Sequence, residues 1–104
     1  MYMSELCKIM VVDDDELLNM FFSQHLADEG FDVISVFGVQ EALANLDSSI
    51  DFILLDYNLG DGTGADFIEG AKLLGLVPPI IMASANENPD FLKECPGSVL
   101  ACWG

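Results

Sequence analysis

Two short apolar runs that each stop on aspartate constrain this chain more than any other feature. They are KIMVVDDD, residues 8–15, and FILLDYNLGDG, residues 52–62. A continuous apolar run of this length, bounded by turn residues, reads as a strand buried on both faces. A carboxylate at its end leaves the apolar layer where charge can be met by water or by a ligand.

The rest of the chain alternates in the same way. Residues 9–12 read as a strand. Residues 17–29 follow as a helix, with Leu18, Phe21, Phe22, His25 and Leu26 at helical spacing. Gly30 closes it as a C-cap, and Asp15 is expected to cap its start. Residues 31–37 form a second strand, and residues 39–46 a short helix with Ala42, Leu43 and Leu46 on one face. After the strand at 52–55 comes a helix over 63–74, with Thr63 and Asp66 spaced as a capping box. Pro78-Pro79 breaks the chain before a fourth strand at 80–83. Asn88-Pro89 opens a short fourth helix, and residues 99–103 read as a fifth strand.

Strands alternating with helices predict an α/β fold around a doubly wound parallel sheet of five strands. Ligands of such sheets bind at the carboxyl ends of strands, near a topological switch point. Asp13, Asp14, Asp56 and Ser84 all fall at predicted strand ends.

Composition narrows the function. The 104 residues suit one small domain, and a hydrophobic content of 52% supplies a core. The net charge is −15, from 18 acids against three lysines and no arginine. This excludes direct nucleic-acid binding, which needs a basic face, and favours cations and basic partners. No run is long enough for a membrane span and no signal peptide is evident, so a cytoplasmic setting is expected. Cys7, Cys95 and Cys102 form no CxxC pair. With a single histidine, His25, zinc-ligand spacing is missing. The cysteines read as reduced thiols, and His25 as a packing or surface residue.

Neighbouring first and third strands would bring Asp13, Asp14 and Asp56 together. Three such carboxylates repel and raise one another's pKa. A hard cation makes the cluster tolerable, and Mg2+ suits it, with Mn2+ as a substitute. A carboxylate beside that cation can attack a phosphoryl group to give an acyl phosphate.

On the blocks VVDDD (11–15), FILLDYNL (52–59) and PIIMASA (79–85), the chain resembles the receiver domains of two-component response regulators over nearly its whole length. The resemblance implies a flavodoxin-like sheet of order 2-1-3-4-5. It also implies phosphorylation of Asp56 by a histidine kinase or phosphotransfer protein, switching a surface that binds a downstream protein or domain. Asp14 would bind Mg2+ directly, Asp13 would support the site, and the Asn58 carbonyl would be a further ligand. Ser84 matches the switch hydroxyl, with the small Ala85 beside it at the phosphate. Asn58 and Asn86 match positions that tune hydrolysis of the acyl phosphate.

Two departures stand out. Where the family usually carries proline, this chain has Gly60, in the run GDGTG (60–64), which gives a mobile loop unless it is tied down. The family's lysine at the end of strand five would follow Gly104, where the sequence stops, and Lys8, Lys72 and Lys93 lie in other segments. Residues 1–104 are therefore expected to be one receiver domain, incomplete at its C-terminus and lacking the last helix. Dimerisation through the uncovered sheet face or strand five is expected to cover the gap. Trp103 lies near the family's switch aromatic without a firm match.

Two alternatives belong to other classes. One is a receiver-like interaction module that is never phosphorylated. The other is a haloacid-dehalogenase-like phosphatase, disfavoured because Asn58 stands where that family needs an acid. A calcium loop over 56–67 fails at Asp61, where glycine is needed, and at Phe67, where Glu is needed.

Overall fold

The computed structural model describes residues 7–83 and, as backbone, 99–103. The expected fourth helix, together with Ser84, Ala85, Asn86, Lys93 and Cys95, lies outside the described residues.

The elements run β1 (Lys8–Val12), α1 (Glu16–Asp28), β2 (Asp32–Val36), α2 (Val39–Asn45) and β3 (Phe52–Asp56). A small ladder of β4 (Asn58–Leu59) and β5 (Gly62–Thr63) follows. The chain continues through α3 (Gly64–Leu74), β6 (Ile80–Ala83) and β7 (Val99–Trp103). Five strands form one sheet of order β2-β1-β3-β6-β7, all parallel. This is the expected doubly wound order, and β6 and β7 are the expected fourth and fifth strands.

The order dictates where the helices lie. The chain moves from β1 outward to β2, then reverses across β1 to β3 and on to β6. Right-handed crossovers place α1 on one face of the sheet and α2 and α3 on the other. The reversal falls between β1 and β3, so their carboxyl ends flank the switch point.

The two faces are built differently. On the α2/α3 face, Met10, Val12, Val36, Ile53, Leu55, Ile80 and Met82 meet Val39, Ala42, Leu46, Phe67, Ile68 and Ala71 in one buried cluster. On the α1 face, Ile9 and Val11 are buried, while Phe52, Leu54 and Ile81 are half-buried.

The apolar stripe expected on α1 is not buried. Leu18, Phe21 and His25 are exposed, with Phe21 64% exposed, and Phe22 and Leu26 are half-buried. Asn19 is the buried residue of this helix. The stripe rotates off the sheet because α1 packs mainly over the edge strand β2. Among the described residues, no second helix lies on that face to meet it. Phe21 is instead stacked on His25 and set edge-on to Phe22.

Helix ends follow local chemistry. Asp15 Oδ1 accepts from the Leu17 and Leu18 N–H groups at 3.0 and 3.2 Å, capping α1 as expected. Glu29 is the C-cap residue, and Gly30, the expected cap, follows it one position on with φ of 98°. Thr63 and Asp66 form a reciprocal capping box on α3. Among the described residues, no helix is long and apolar enough to cross a membrane.

Candidate functional site

The site sits at the carboxyl ends of β1 and β3. Val12 is in register with Leu55, so Asp13 and Asp14 leave the sheet beside Asp56. One carboxylate oxygen from each of the three acids lies within 4.8 Å of the others. The grades of exposure differ: Asp13 is buried, Asp56 half-buried and Asp14 exposed.

Asp56 pays electrostatically for this company. Burial, then the charges of Asp13 and Asp14, push its pKa up to about 7, against an ordinary value of 3.8. The Tyr57 and Asn58 N–H groups donate to it and offset part of the rise. Asp13 is also raised, first by burial and then by Asp14 and Asp15. It accepts the Asp15 N–H at 2.9 Å, which works the other way. Asp15 itself faces α1 as a cap, so the three consecutive aspartates divide their work between site and helix.

Backbone contacts hold the acids in place. Asn19 is fully buried, and its Nδ2 donates to the carbonyls of Asp13 at 3.0 Å and Val36 at 2.8 Å. Its Oδ1 accepts from Ser23 Oγ at 3.0 Å, and Ser23 and Ser35 share a hydrogen bond of 2.7 Å. One side chain thereby satisfies two strand-end carbonyls and ties α1 to the start of the acidic turn. At β3, α3 comes so close that a Cβ on Gly64 would lie 3.1 Å from the Asp56 carbonyl oxygen. The Gly64 N–H donates to the Tyr57 carbonyl at 2.6 Å.

The glycine-rich loop is tied down. Asn58 pairs with Thr63 and Leu59 with Gly62 in the β4-β5 ladder. A Cβ on Gly60 would come within 3.5 Å of Asp14 Oδ2, which puts the tip of the hairpin beside the acidic cluster.

The structure therefore brings Asp13, Asp14 and Asp56 together and sets Asn58 two residues beyond, in β4. Ala83, in register with Asp56, is the residue before Ser84. The described lysines stand elsewhere. Lys8 opens β1, about 13 Å along the strand from its acidic end, and its Nζ donates to Ser49 Oγ. Lys72 lies in the last turn of α3, about 12 Å along the helix from its start. Sequence reasoning missed Asn19, Gly64 and the ladder. Gly64 had a signal in its glycine-rich run; a polar residue inside an otherwise apolar helix stripe was the only signal for Asn19.

The three-carboxylate set fits a hard divalent cation. Its donors are all oxygens, and the raised pKa values of Asp13 and Asp56 mark charge that a cation would relieve.

Comparison with known proteins places this geometry. The family model of the response regulator receiver domain matches residues 9–97. A Haloferax volcanii protein described as a candidate transcriptional regulator is 36% identical over 88 residues, covering 85% of this chain and 15% of that protein. The transcriptional regulatory protein CpxR of Escherichia coli is 34% identical over 83 residues, covering 80% of this chain and 36% of CpxR. Among solved structures, the chemotaxis protein CheY4 of Vibrio cholerae superposes with a TM-score of 0.85. It is 24% identical, with 95% of this chain and 86% of CheY4 covered. The chain belongs to the response regulator receiver domain family. It spans well under half the length of the two regulators above. Receiver domains are signalling modules, and they generally bind Mg2+ in an acidic pocket of this kind.

Proposed function

We propose that Asp56 is the phosphoacceptor of a two-component relay, with residues 1–104 acting as one receiver unit. The carrying observation is that a half-buried carboxylate, pushed up to about 7, shares a 4.8 Å cluster with two further acids on the receiver fold. Asp14, Asp56, the Asn58 carbonyl and, in support, Asp13 would hold Mg2+. That ion would lower the Asp56 pKa and screen the incoming phosphoryl oxygens.

A carboxylate oxygen of Asp56 attacks the phosphorus of a phosphohistidine on a histidine kinase or phosphotransfer protein. The P–N bond breaks, and the imidazole leaves with its electron pair and takes a proton from solvent. Asp13 and Asp14 keep Asp56 from approaching phosphate unless their charge is balanced, which makes the reaction cation-dependent. Ser84, next in sequence after the register partner of Asp56, would follow the phosphoryl group, and the small Ala85 would leave room for it. Asn58 and Asn86 set the lifetime of the acyl phosphate. The output is a changed surface for a downstream protein or domain. Among the described residues α1 alone lies on the face that carries the half-buried Leu54 and Ile81, which supports self-association through that face or β7, and sedimentation over a concentration series checks it.

Incubation with Mg2+ and acetyl phosphate, read by intact mass, tests the reading. One labile phosphoryl adduct is expected, absent in Asp56→Asn and absent without a divalent cation. An adduct that persists in the variant sinks the assignment. No adduct on a chain carried through a following helix favours an unphosphorylated interaction module.

A further inference from the structure

Asp61 is the acid that a reader of the sequence would add to the cluster, since it follows Gly60, the neighbour of Asp14. The structure turns it the other way. Its Oδ1 accepts from the Val39 N–H at 2.7 Å and its Oδ2 from the Gln40 N–H at 3.0 Å. Those are the first two amides of α2, whose own N-cap residue, Gly38, has no side chain to offer them. A residue from a distant loop thus does the work of a local cap. The Gln40 and Val39 N–H groups hold its carboxyl below the usual carboxylate range.

Gly38 is shaped for this contact. Its φ of −161° is extended backbone open to any residue, so conformation does not require glycine there. Space does: a Cβ would lie 2.8 Å from Asp61 Oδ1 and 3.1 Å from its Cγ. The hairpin is also pinned on its other side. A Cβ on Gly62, whose φ is +157°, would lie 2.9 Å from Asp66 Oδ2 and 3.1 Å from Val39 Cγ2.

We propose that Asp61 is a positioning residue for the phosphoacceptor site, locking the 58–63 hairpin onto the start of α2 in a cleft that Gly38 keeps open. Three glycines between residues 60 and 64 would otherwise give this segment wide backbone freedom, which opposes any fixed ligand geometry. Anchoring Asp61 fixes Gly60 beside Asp14 Oδ2 and fixes β4, which carries the Asn58 carbonyl. The clamp rests on the phosphoacceptor reading for its purpose, though its contacts stand without it.

The test uses Asp61→Ala, Asp61→Asn, Gly38→Ala and the double variant Gly38→Ala/Asp61→Ala. Amide exchange at Val39 and Gln40 is read first. Mg2+ affinity is then read by calorimetry, and adduct formation from acetyl phosphate is followed against Mg2+ concentration. Asp61→Ala is expected to speed exchange at both amides about tenfold, from loss of charge-assisted bonds. It should weaken Mg2+ by about three- to tenfold while leaving the rate at saturating Mg2+ within about twofold, the signature of positioning rather than chemistry. Asp61→Asn, which retains one acceptor oxygen, should fall between. Gly38→Ala should reproduce the Asp61→Ala defect by expelling the carboxylate, and should add nothing further in the double variant.

Additive effects of the two substitutions, or unchanged exchange at Val39 and Gln40 in Asp61→Ala, overturn the clamp. Equal Mg2+ affinity in the natural chain and Asp61→Ala overturns its positioning role alone. A natural chain that binds no Mg2+ overturns the phosphoacceptor reading, and the positioning role with it.

Discussion

The two faces of the sheet are held by different physics. The α2/α3 face is an apolar cluster in which Phe67, Ile53, Leu55 and Ile80 are wholly removed from water. On the other face, the buried residue of α1 is an amide, Asn19, bonded to two strand-end carbonyls and to Ser23. Of the larger apolar side chains of α1, Leu17 at 73% exposure and Met20 at 58% point outward, and Phe22 and Leu26 are half-buried. A face held by apolar burial tolerates shape changes by degrees. One held by a satisfied polar network loses its support when a single donor goes.

Substitutions on the two faces should separate accordingly. Phe67→Ala should cost about 3–5 kcal/mol, the range for a large buried side chain that leaves a cavity, as read by urea unfolding. Asn19→Leu keeps the volume and removes the donors, taking the amide N–H from the Asp13 carbonyl and leaving the Val36 carbonyl with the Asp13 N–H at 3.2 Å. Its expected cost is about 2–3 kcal/mol, together with weaker Mg2+ binding because Asp13 is freed. A Leu variant as stable as the natural chain would erase the contrast between the faces.

The acidic rim, where the faces meet, responds to pH. Asp56 is raised above its unfolded value, so the folded chain without cation holds a proton that the unfolded chain releases. Stability therefore falls as pH rises from about 4 to about 7, and Asp13 acts with the same sign. Asp56→Asn should raise cation-free stability at pH 8 by about 1–2 kcal/mol, allowing for the solvent screening of a half-exposed group. The gain should vanish near pH 4, and thermal melts at the two pH values read it directly. Smallest of all, Phe21→Ala on the exposed stripe of α1 should change stability by less than about 0.5 kcal/mol. A larger loss would mean that this stripe is covered in solution.

Much of this architecture was legible because it is written locally. Apolar runs ending in aspartate marked β1 and β3, and the caps at Asp15 and Thr63–Asp66 are spaced within three residues of their partners. What escaped lies across the sequence. Asn19 reaches Val36, and Asp61 reaches Val39 and Gln40, through contacts that no periodicity encodes. The α1 stripe misled for a related reason: helical spacing reports that a face is apolar, and only the topology decides what stands opposite it. The convergence of Asp13, Asp14 and Asp56 was legible because strand ends and charge are both visible in one dimension. Their differing exposure and the direction of Asp61 were not.

The position of β1 between β2 and β3 also has a consequence for the order in which the chain can mature. Both hydrogen-bonding edges of β1 wait for later segments, one from residues 32–36 and the other from residues 52–56. A nascent chain holds Asp13 and Asp14 without their third neighbour until β3 has been synthesised and docked. The closing of the central pair and the crowding of the three carboxylates are thus a single event. A divalent cation present at that moment favours the docked chain over its precursor by mass action, so the ion that would serve signalling in the finished molecule would first act as a folding ligand.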